Sequence, residues 1–496
     1  MRFGTAVLAG VMLALSGTAH AAWWQAQSRH FTVYSEGNDA KLRSFAERLE
    51  KFDFLLRTVT GVTDPEQGSP VKVYLLSTEA KVRDLARNPN IGGFYTTSDR
   101  TAFAVLSREA KTGKFDFGAE EILFHEYTHH FMLHHFPAAY PAWYVEGFAE
   151  FFSTVIFNKD GSIDFGHAPL ARAPGLVLGS PYPVANLFAR DTGGLSRRDG
   201  DRYYGTAWLL THYFRYTPAR KPEIARYLTD VANGVKDIDP NSYFAGGLAG
   251  LEKDIKVYMR HRMSASRLTP REMKLDPITV SALDPAQGAV MEPELRLMNR
   301  PRTEDLPAIV TAIRAATAQY SASAYVLALL AESEAAAEQQ DAALVDADRA
   351  IAIDPKSARA YAVRASILLE RAQGSDRAED WKAALTSIVR ANRADTEDPV
   401  PLALFYRYHR MRGGTMPDIG YDGLYKAFTL LPQSPNYRIN FAQAMAERGD
   451  YATASILLDP LAYSPHASDL RAAALKMKAD LDAKAPAKAP SPSPAP

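Results

Sequence analysis

Residues 331–355 read AESEAAAEQQDAALVDADRAIAIDP, and this stretch decides how the C-terminal half of the chain folds. Ala331, Ala343 and Ala350 are small residues, and Pro355 closes the segment. Similar residues return with a period of about 34 residues, as repeat architectures require. They stand at Ala365, Ala384 and Ala391, then at Ala427 and Pro432, then at Ala442, Ala454 and Pro465, with an insertion around 373–379 in the second unit. The pattern predicts pairs of helices from about Thr303 onward.

The spacing of these small residues has a physical meaning. Small side chains let the two helices of a pair approach closely, and a proline ends the second helix. The segment resembles a degenerate tetratricopeptide-repeat array, and the turn Gly449-Asp450-Tyr451 fits its last unit. This resemblance implies an all-α helical-repeat domain over residues 303–483 that binds a peptide or protein partner. An irregular helical bundle with alanine-rich faces remains open as the alternative.

The N-terminal half mixes strand and helix patterns. Strands are predicted at 30–34, 71–76 and 101–106, and helices at 39–60, 79–86, about 117–136 and from 142. We therefore predict an α+β domain over residues 22–265 with a small sheet, followed by a linker over 266–302. The strand from Thr101 to Ser107 is predicted as an internal strand, or, by the family resemblance described below, as an edge strand on which an extended peptide pairs.

The two ends of the chain carry processing and low-complexity signals. Arg2 precedes an apolar run from Phe3 to Leu15, and Ala19-His20-Ala21 supplies the small residues of a cleavage site. Residues 1–21 are therefore predicted as a signal peptide, with an uncleaved anchor as the alternative, and the protein is expected to be periplasmic or secreted. Residues 484–496 are rich in Pro, Ala and Ser and are predicted as a disordered tail.

The composition excludes several classes of partner and site. Lys plus Arg and Asp plus Glu both number 57, so the formal net charge is zero and a nucleic-acid partner is not expected. The chain has no cysteine, which excludes disulfides, thiolate metal sites and a lipid anchor on cysteine. Any metal ion must be bound by nitrogen and oxygen ligands.

One candidate metal site stands out. Residues 122–131 read ILFHEYTHHF and contain the pattern H-E-x-x-H. Four residues turn a helix by about 400°, so His125 and His129 lie on one face and can bind the same ion, while His130 is rotated by about 100° and cannot. Glu126 lies beside them, where a carboxylate can take a proton from a metal-bound water. A third ligand must come from elsewhere.

The next helix supplies that candidate and a family resemblance. Residues 143–150 read WYVEGFAE, and H-E-x-x-H followed by E-G-x-A resembles the gluzincin zinc metallopeptidases over about residues 23–265. The resemblance implies a thermolysin-like fold, one Zn²⁺ per chain held by His125, His129 and Glu146, and Glu126 as general base. It also implies that Glu150 holds a ligand histidine by its other nitrogen.

The same resemblance extends to a later helix. Residues 202–213, RYYGTAWLLTHY, resemble the Y-x-x-x-W helix of the family, which implies Tyr204 as the oxyanion donor, with Tyr203 or His212 in reserve. The expected function is a secreted zinc metallopeptidase of endopeptidase type that hydrolyses peptide or protein substrates. The alternative is a non-catalytic scaffold whose repeats bind a partner and whose zinc-peptidase fold is vestigial.

Overall fold

The computed structural model describes residues 23–37, 39–63, 70–89, 91–108, 118–136, 140–172, 175–176, 180–189, 197–235, 238–270, 273–463 and 469–485. The predicted signal peptide lies outside the described residues, as does the predicted tail except for Lys484 and Ala485.

The N-terminal half is built on a mixed sheet of six strands. In chain order, the strands of the structure are β1 (Trp23–Gln27), β2 (Phe31–Glu36), β3 (Val71–Leu76), β4 (Gly93–Thr97), β5 (Ala102–Ser107), β6 (Ile156–Phe157), β7 (Ile163–Phe165), β8 (Ser266–Leu268) and β9 (Thr279–Ala282). The large sheet has the order β4-β5-β3-β2-β1-β9, and β6, β7 and β8 form a separate small sheet. Strands β2, β3 and β5 run parallel, with Val33 opposite Val73 and Val73 opposite Ala104.

The position of β5 settles one open alternative. It lies between β4 and β3, so both of its sides are paired and it is an internal strand. All six of its residues are buried, which agrees with an apolar run covered on both faces. The edge of the sheet on this side is β4, and the edge-strand interpretation of residues 101–107 is wrong.

In the described segments of the N-terminal half, eight α-helices accompany the sheets. They are α1 (Asp39–Thr60), α2 (Glu79–Ala86), α3 (Ala119–His135), α4 (Ala142–Ser153), α5 (Val184–Phe188), α6 (Arg197–Tyr216), α7 (Lys221–Ala232) and α8 (Gly247–Tyr258). One face of the sheet packs against α1 and α3, through Phe31, Phe52 and Tyr127. The opposite face carries Tyr74 and Phe103 and packs against α2. The sheet is therefore buried on both faces.

The segment predicted as a linker is folded. It contains β8, β9 and α9 (Pro285–Met298), and β9 pairs with β1 as an edge strand of the large sheet. Met291 and Leu295 of α9 complete the core on the α2 face of the sheet. The linker prediction over 266–302 fails because the strand has only four residues, three of them exposed, and leaves little apolar pattern in the sequence.

The C-terminal half is a stack of antiparallel helices. They are α10 (Leu306–Gln319), α11 (Ala324–Ala336), α12 (Gln340–Ile353), α13 (Ala358–Ser375), α14 (Ala378–Ala394), α15 (Pro399–Arg412), α16 (Asp418–Leu430), α17 (Pro435–Glu447), α18 (Tyr451–Ala462) and α19 (Asp469–Asp482). Neighbours pair as α11 with α12, α13 with α14, α15 with α16 and α17 with α18, while α11 also packs on α13 and α13 on α15. This is the arrangement of a helical-repeat body of tetratricopeptide type.

The small residues that predicted the repeats lie where helices pack closely. Ala331, Ala343 and Ala350 are completely buried between helices. The first helix of each pair begins at a side-chain N-cap: Ser323, Ser357, Asp398 and Ser434 each accept a hydrogen bond from a backbone N–H of the first turn. The predicted insertion corresponds to a longer α13, which extends to Ser375.

The repeat body packs against the N-terminal half at the turn between β4 and β5. Arg100 of this turn forms ion pairs with Asp398 before α15 and, at 3.7 Å, with Glu332 on α11. The preceding residue, Asp99, accepts a hydrogen bond from the Tyr437 hydroxyl at its carbonyl oxygen. The turn therefore lies against the first helices of three of these pairs, α11, α15 and α17.

A second contact reaches the helix that carries the candidate metal ligands. The Gln433 amide, in the loop before α17, donates to His130 Nδ1 at 2.9 Å and to the His130 carbonyl at 3.2 Å. The Tyr95 hydroxyl of β4 lies 2.9 Å from the same ring nitrogen. His130 therefore connects α3 to the repeat body and to β4, a role separate from that of its neighbour His129. Among the described helices, none combines the length and apolar character needed to cross a bilayer.

Candidate metal centre

Two histidines of α3 point to the same place. The Nε2 atoms of His125 and His129 lie 3.0 Å apart, as expected for residues separated by one helical turn. The other side of α3 carries Leu123, Phe124 and Phe131, which are buried in the main core and fix the rotation of the helix. Both imidazoles are therefore held on the face that looks toward α4.

The third group comes from α4. Oε2 of Glu146 lies 3.2 Å from His125 Nε2 and 3.3 Å from His129 Nε2, and its side chain is 1% exposed. The three residues form the cluster of potential metal ligands in the described part of the chain. The structure thus brings together the three ligands predicted from the sequence.

The geometry of this triangle fits a zinc ion. Ligand atoms about 2.0–2.1 Å from Zn²⁺ at tetrahedral angles are about 3.3 Å apart. The three edges, between 3.0 and 3.3 Å, match this separation within a few tenths of an ångström. Two imidazole nitrogens and one carboxylate oxygen are also a common zinc donor set.

A glycine brings Glu146 to this position. At Gly147, an added Cβ would lie 2.3 Å from the Ala207 carbonyl oxygen and 2.4 Å from Thr211 Oγ1. The backbone of helix α4 at Gly147 therefore contacts both backbone and side-chain atoms of α6 at a separation that only glycine permits. Gly147, the glycine of the E-G-x-A segment, therefore has a packing function: its close contact with α6 fixes the position and the rotation of α4.

We expect Gly147→Ala to lower the free energy of unfolding by about 3 kcal/mol, because α4 and α6 must separate to admit the methyl group. The matched control is Gly200→Ala in α6, where an added Cβ meets nothing within 4 Å. This control should leave stability unchanged or raise it by up to about 1 kcal/mol. Urea titrations of the three proteins measure the difference. Equal stability of the two variants would show that the helices are not in this contact.

Glu150, one turn after Glu146, lies behind the cluster. Its Oε1 is 3.6 Å from His125 Nδ1, within ion-pair range and longer than a hydrogen bond. The same oxygen accepts hydrogen bonds from Arg172 Nη2 at 2.9 Å and Nε at 3.1 Å. Glu150 is completely buried. Because its contacts with the Arg172 guanidinium are shorter than its contact with His125, Arg172 is its main partner.

The remaining predicted residues are placed as follows. Glu126 follows His125 on α3. Burial raises the pKa of Tyr95, and the negative charge of Glu126 raises it further. The Tyr204 ring centroid lies 6.3 Å from that of His125, and the Arg172 guanidinium stacks over the Tyr204 ring at 4.4 Å. Burial raises the pKa of Tyr204 strongly, with a further contribution from Glu146. Tyr204 therefore borders the cluster.

Tyr203 and His212, the two reserve candidates for the oxyanion donor, do not border the cluster in the same way as Tyr204. The Tyr203 ring is completely buried, and its hydroxyl has no hydrogen-bond partner among the described residues. His212 is also buried; its Nε2 donates to the Ser264 carbonyl at 2.7 Å, and its Nδ1 lies 2.9 Å from the Tyr258 hydroxyl. Both nitrogens of His212 are thus used in the core, and the reserve role predicted for it is wrong.

Sequence reasoning missed two residues at this site. Arg172 pairs with Glu150 and, at 2.8 Å, with Asp201, but it ends a 3-10 helix of only three residues (Leu170–Arg172), for which the sequence gives no signal. Glu121 lies one helical turn before His125, so helix geometry could have identified it. Its carboxyl is close enough to Glu150 for that charge to affect its pKa.

Electrostatics around the cluster follow from burial and negative charge. Burial acts to lower the pKa of His125, but the hydrogen bond to Glu146 and the charges of Glu150 and Glu126 outweigh it and leave the pKa raised. Burial raises the pKa of Glu121 to about 7, and the charge of Glu150 adds to this effect. The site concentrates negative charge, which favours binding of a cation.

Because the folded state holds the Glu121 proton more tightly than the unfolded state, Glu121 should make stability depend on pH. Its contribution is complete below the ordinary value of 4.5 and is lost as the pH rises through about 7. In the presence of a metal chelator, Glu121→Gln should remove about 2–3 kcal/mol of this dependence. Urea titrations at several pH values measure it, with Glu379→Gln, an exposed carboxylate, as the control. Parallel pH profiles for wild type and Glu121→Gln would contradict the assignment.

The comparisons with known proteins concern mainly the helical repeats. No family model matches the chain, and no curated protein matches it. Among solved structures, the chain is similar to TTC0263, a thermophilic TPR protein of Thermus thermophilus, with a TM-score of 0.33, 18% identity and coverage of 39% of this chain and 98% of that chain. The similarity to MamA has a TM-score of 0.24 and 14% identity, and it covers 36% of this chain and 89% of that chain. The similarity to yeast Tom70 has a TM-score of 0.27 and 13% identity, and it covers 60% of this chain and 62% of that chain.

These comparisons correct the family assignment. TTC0263 is named a TPR protein and nothing in the comparisons points to a gluzincin, so the family prediction of a gluzincin zinc metallopeptidase is wrong, and the enzyme class and the hydrolase description, which rested on that resemblance, are corrected with it. The N-terminal sheet region exists, but it is not shown to be a thermolysin-like domain. The physical reason is that H-E-x-x-H fixes the spacing of ligands on one helical turn and leaves the surrounding fold undetermined. The zinc ion and the roles of Glu126 and Tyr204 stay predictions.

Proposed function

We propose that this protein is a scaffold whose helical repeats bind a protein partner. The observation that carries this proposal is the open groove of about 540 Å³ on the repeat body, lined by α13, α15 and α17. Stacked helix pairs present such a concave surface because each pair is rotated slightly relative to the one before it. A groove of this volume accommodates several side chains of a peptide.

Contacts within the chain support a fixed platform for this groove. The turn that contains Asp99 and Arg100 occupies the neighbouring part of the same face, through the ion pairs of Arg100 and the hydrogen bond from Tyr437. The N-terminal half and the repeats are therefore held together, and a partner reaches the groove beside Asp99. Preorganisation of this kind reduces the entropy lost when a partner binds.

We further propose that His125, His129 and Glu146 hold one Zn²⁺ per chain. The matching ligand separations and the burial of Glu146 support this assignment. In a scaffold the ion supplies a cross-link between α3 and α4, which strengthens the half of the protein against which the repeats pack. The apolar run and cleavage-site residues at the N terminus support a periplasmic or secreted location.

Photo-crosslinking in cells tests the scaffold function. A photoreactive amino acid is placed at Ala403, which lines the groove, and in a matched protein at Val345, which is 61% exposed on α12 outside the groove. We expect discrete protein adducts from position 403 and only background from position 345. Equal patterns from the two positions would contradict the proposal that the groove is the partner site.

A further inference from the structure

The groove on the repeats has a distinct chemical character. Its floor is apolar, with Val400, Leu404 and Ile439 among the lining residues. Its rim carries hydrogen-bond donors, with Arg407 and Arg410 on α15 and the amides of Asn436 and Asn440 on α17. Among the lining residues, Asp99 is the one acidic side chain, so the two arginines leave the lining positively charged. A ligand that fits must combine apolar side chains with negative charge.

The chain itself shows how this face binds an acidic residue. Asp99 stands at the tip of the turn between β4 and β5, and its carboxylate accepts a hydrogen bond from Asn436 Nδ2 at 3.2 Å. Its carbonyl oxygen accepts a second bond, from the Tyr437 hydroxyl. Two side chains of α17 thus bind one acidic residue that itself lines the groove.

The donors farther along the groove are only weakly engaged. Arg407 lies 3.4 Å from Glu370, and Arg410 lies 3.4 Å from Glu447, with about half of each arginine side chain exposed. Ion pairs that are long and exposed contribute little, so an incoming carboxylate can replace them. Both arginines lie beside the apolar floor and are accessible from solvent, and the Asn440 side chain lines the groove next to them.

We infer that the groove binds an acidic, leucine-containing segment of the partner protein. Its carboxylates contact Arg407 and Arg410, and its apolar side chains occupy the floor formed by Val400, Leu404 and Ile439. This inference rests on the proposed scaffold function and names the chemistry of the partner. The segment binds as a continuation of the acidic turn that Asn436 already holds.

Fluorescence anisotropy with the full-length protein tests this inference. The probe is a fluorescein-labelled peptide EELDELDELE, compared with its amide analogue QQLNQLNQLQ. We expect the acidic peptide to bind, the amide analogue to bind at least about tenfold more weakly, and the affinity to fall as salt increases. The double variant Arg407→Gln/Arg410→Gln should lose about tenfold in affinity for the acidic peptide.

A matched double variant separates the groove from general charge. Arg364→Gln/Arg371→Gln removes two arginines of α13 that pair with Asp348 and Asp341 and do not line the groove, and it should bind the acidic peptide as wild type does. Equal binding of the two peptides, equal effects of the two double variants, or preferential binding of an oligodeoxythymidine probe would overturn the inference. If crosslinks from position 403 persist in that event, the scaffold function stands and only the acidic partner is refuted.

Discussion

Zinc added to the metal-free protein should raise its free energy of unfolding by about 4 kcal/mol when free zinc exceeds the dissociation constant a thousandfold. The reason is that His125, His129 and Glu146 converge in the folded state alone, since they come from two helices whose relative position depends on packing. Elemental analysis of the purified protein should find about one zinc per chain. Thermal unfolding at a series of free zinc concentrations measures the stabilisation.

Variants on the same two helices sharpen this test. His129→Ala and Glu146→Gln each remove one ligand and should weaken zinc binding by at least about a hundredfold. Glu126→Gln is the matched control, because it makes the same chemical change as Glu146→Gln next to His125 without removing a ligand, and it should keep one zinc per chain. If Glu146→Gln and Glu126→Gln retain zinc equally, Glu146 is not a ligand and the proposed centre is refuted.

The parts of this centre differ in how far the sequence predicts them. His125 and His129 are related by one helical turn, so local geometry alone predicts that they share a face. The position of Glu146 depends on the approach of α4 to α6 at Gly147, which no local pattern encodes. The family resemblance predicted Glu146, and the structure places this residue beside His125 and His129, although the family assignment itself is wrong. Local geometry thus predicts the two histidines of the cluster, whereas the third member depends on packing between helices that are separate in the sequence.

The fold shows the same division between local and distant information. The period of alanines predicts the helix pairs, because burial between close helices requires small residues in every unit. Strand β9 is missed because its pairing with β1 joins segments far apart in the chain, and exposed residues hide it. The ion pair of Arg100 with Asp398 joins positions 298 residues apart, so the packing of the repeats on the sheet region could not be predicted from either half.

A buried charge network holds α9 against the repeats. Arg359 of α13 donates to Glu294 of α9 at 2.7 Å and lies 2.9 Å from Glu332 of α11. Glu294 also accepts a hydrogen bond from the Tyr325 hydroxyl, and its side chain is 5% exposed. Burial acts to raise the pKa of Glu294, but the charges of Arg359 and Lys72 outweigh it and leave the pKa lowered. The carboxylate is therefore ionised in a site with little access to water.

We expect Arg359→Ala to lower the free energy of unfolding by about 3–5 kcal/mol, because the Glu294 carboxylate stays buried after its main counter-charge is lost. Arg371→Ala on the same helix removes an arginine from an exposed pair with Asp341 and should cost no more than about 1 kcal/mol. The double variant Arg359→Leu/Glu294→Leu should recover most of the loss, since apolar residues of similar size often replace a buried ion pair at little cost. Urea titrations followed by far-UV circular dichroism measure all three. Equal losses for Arg359→Ala and Arg371→Ala, or no recovery in the double variant, would contradict the assignment of the Arg359–Glu294 charge pair as the contact that holds α9 against the repeats.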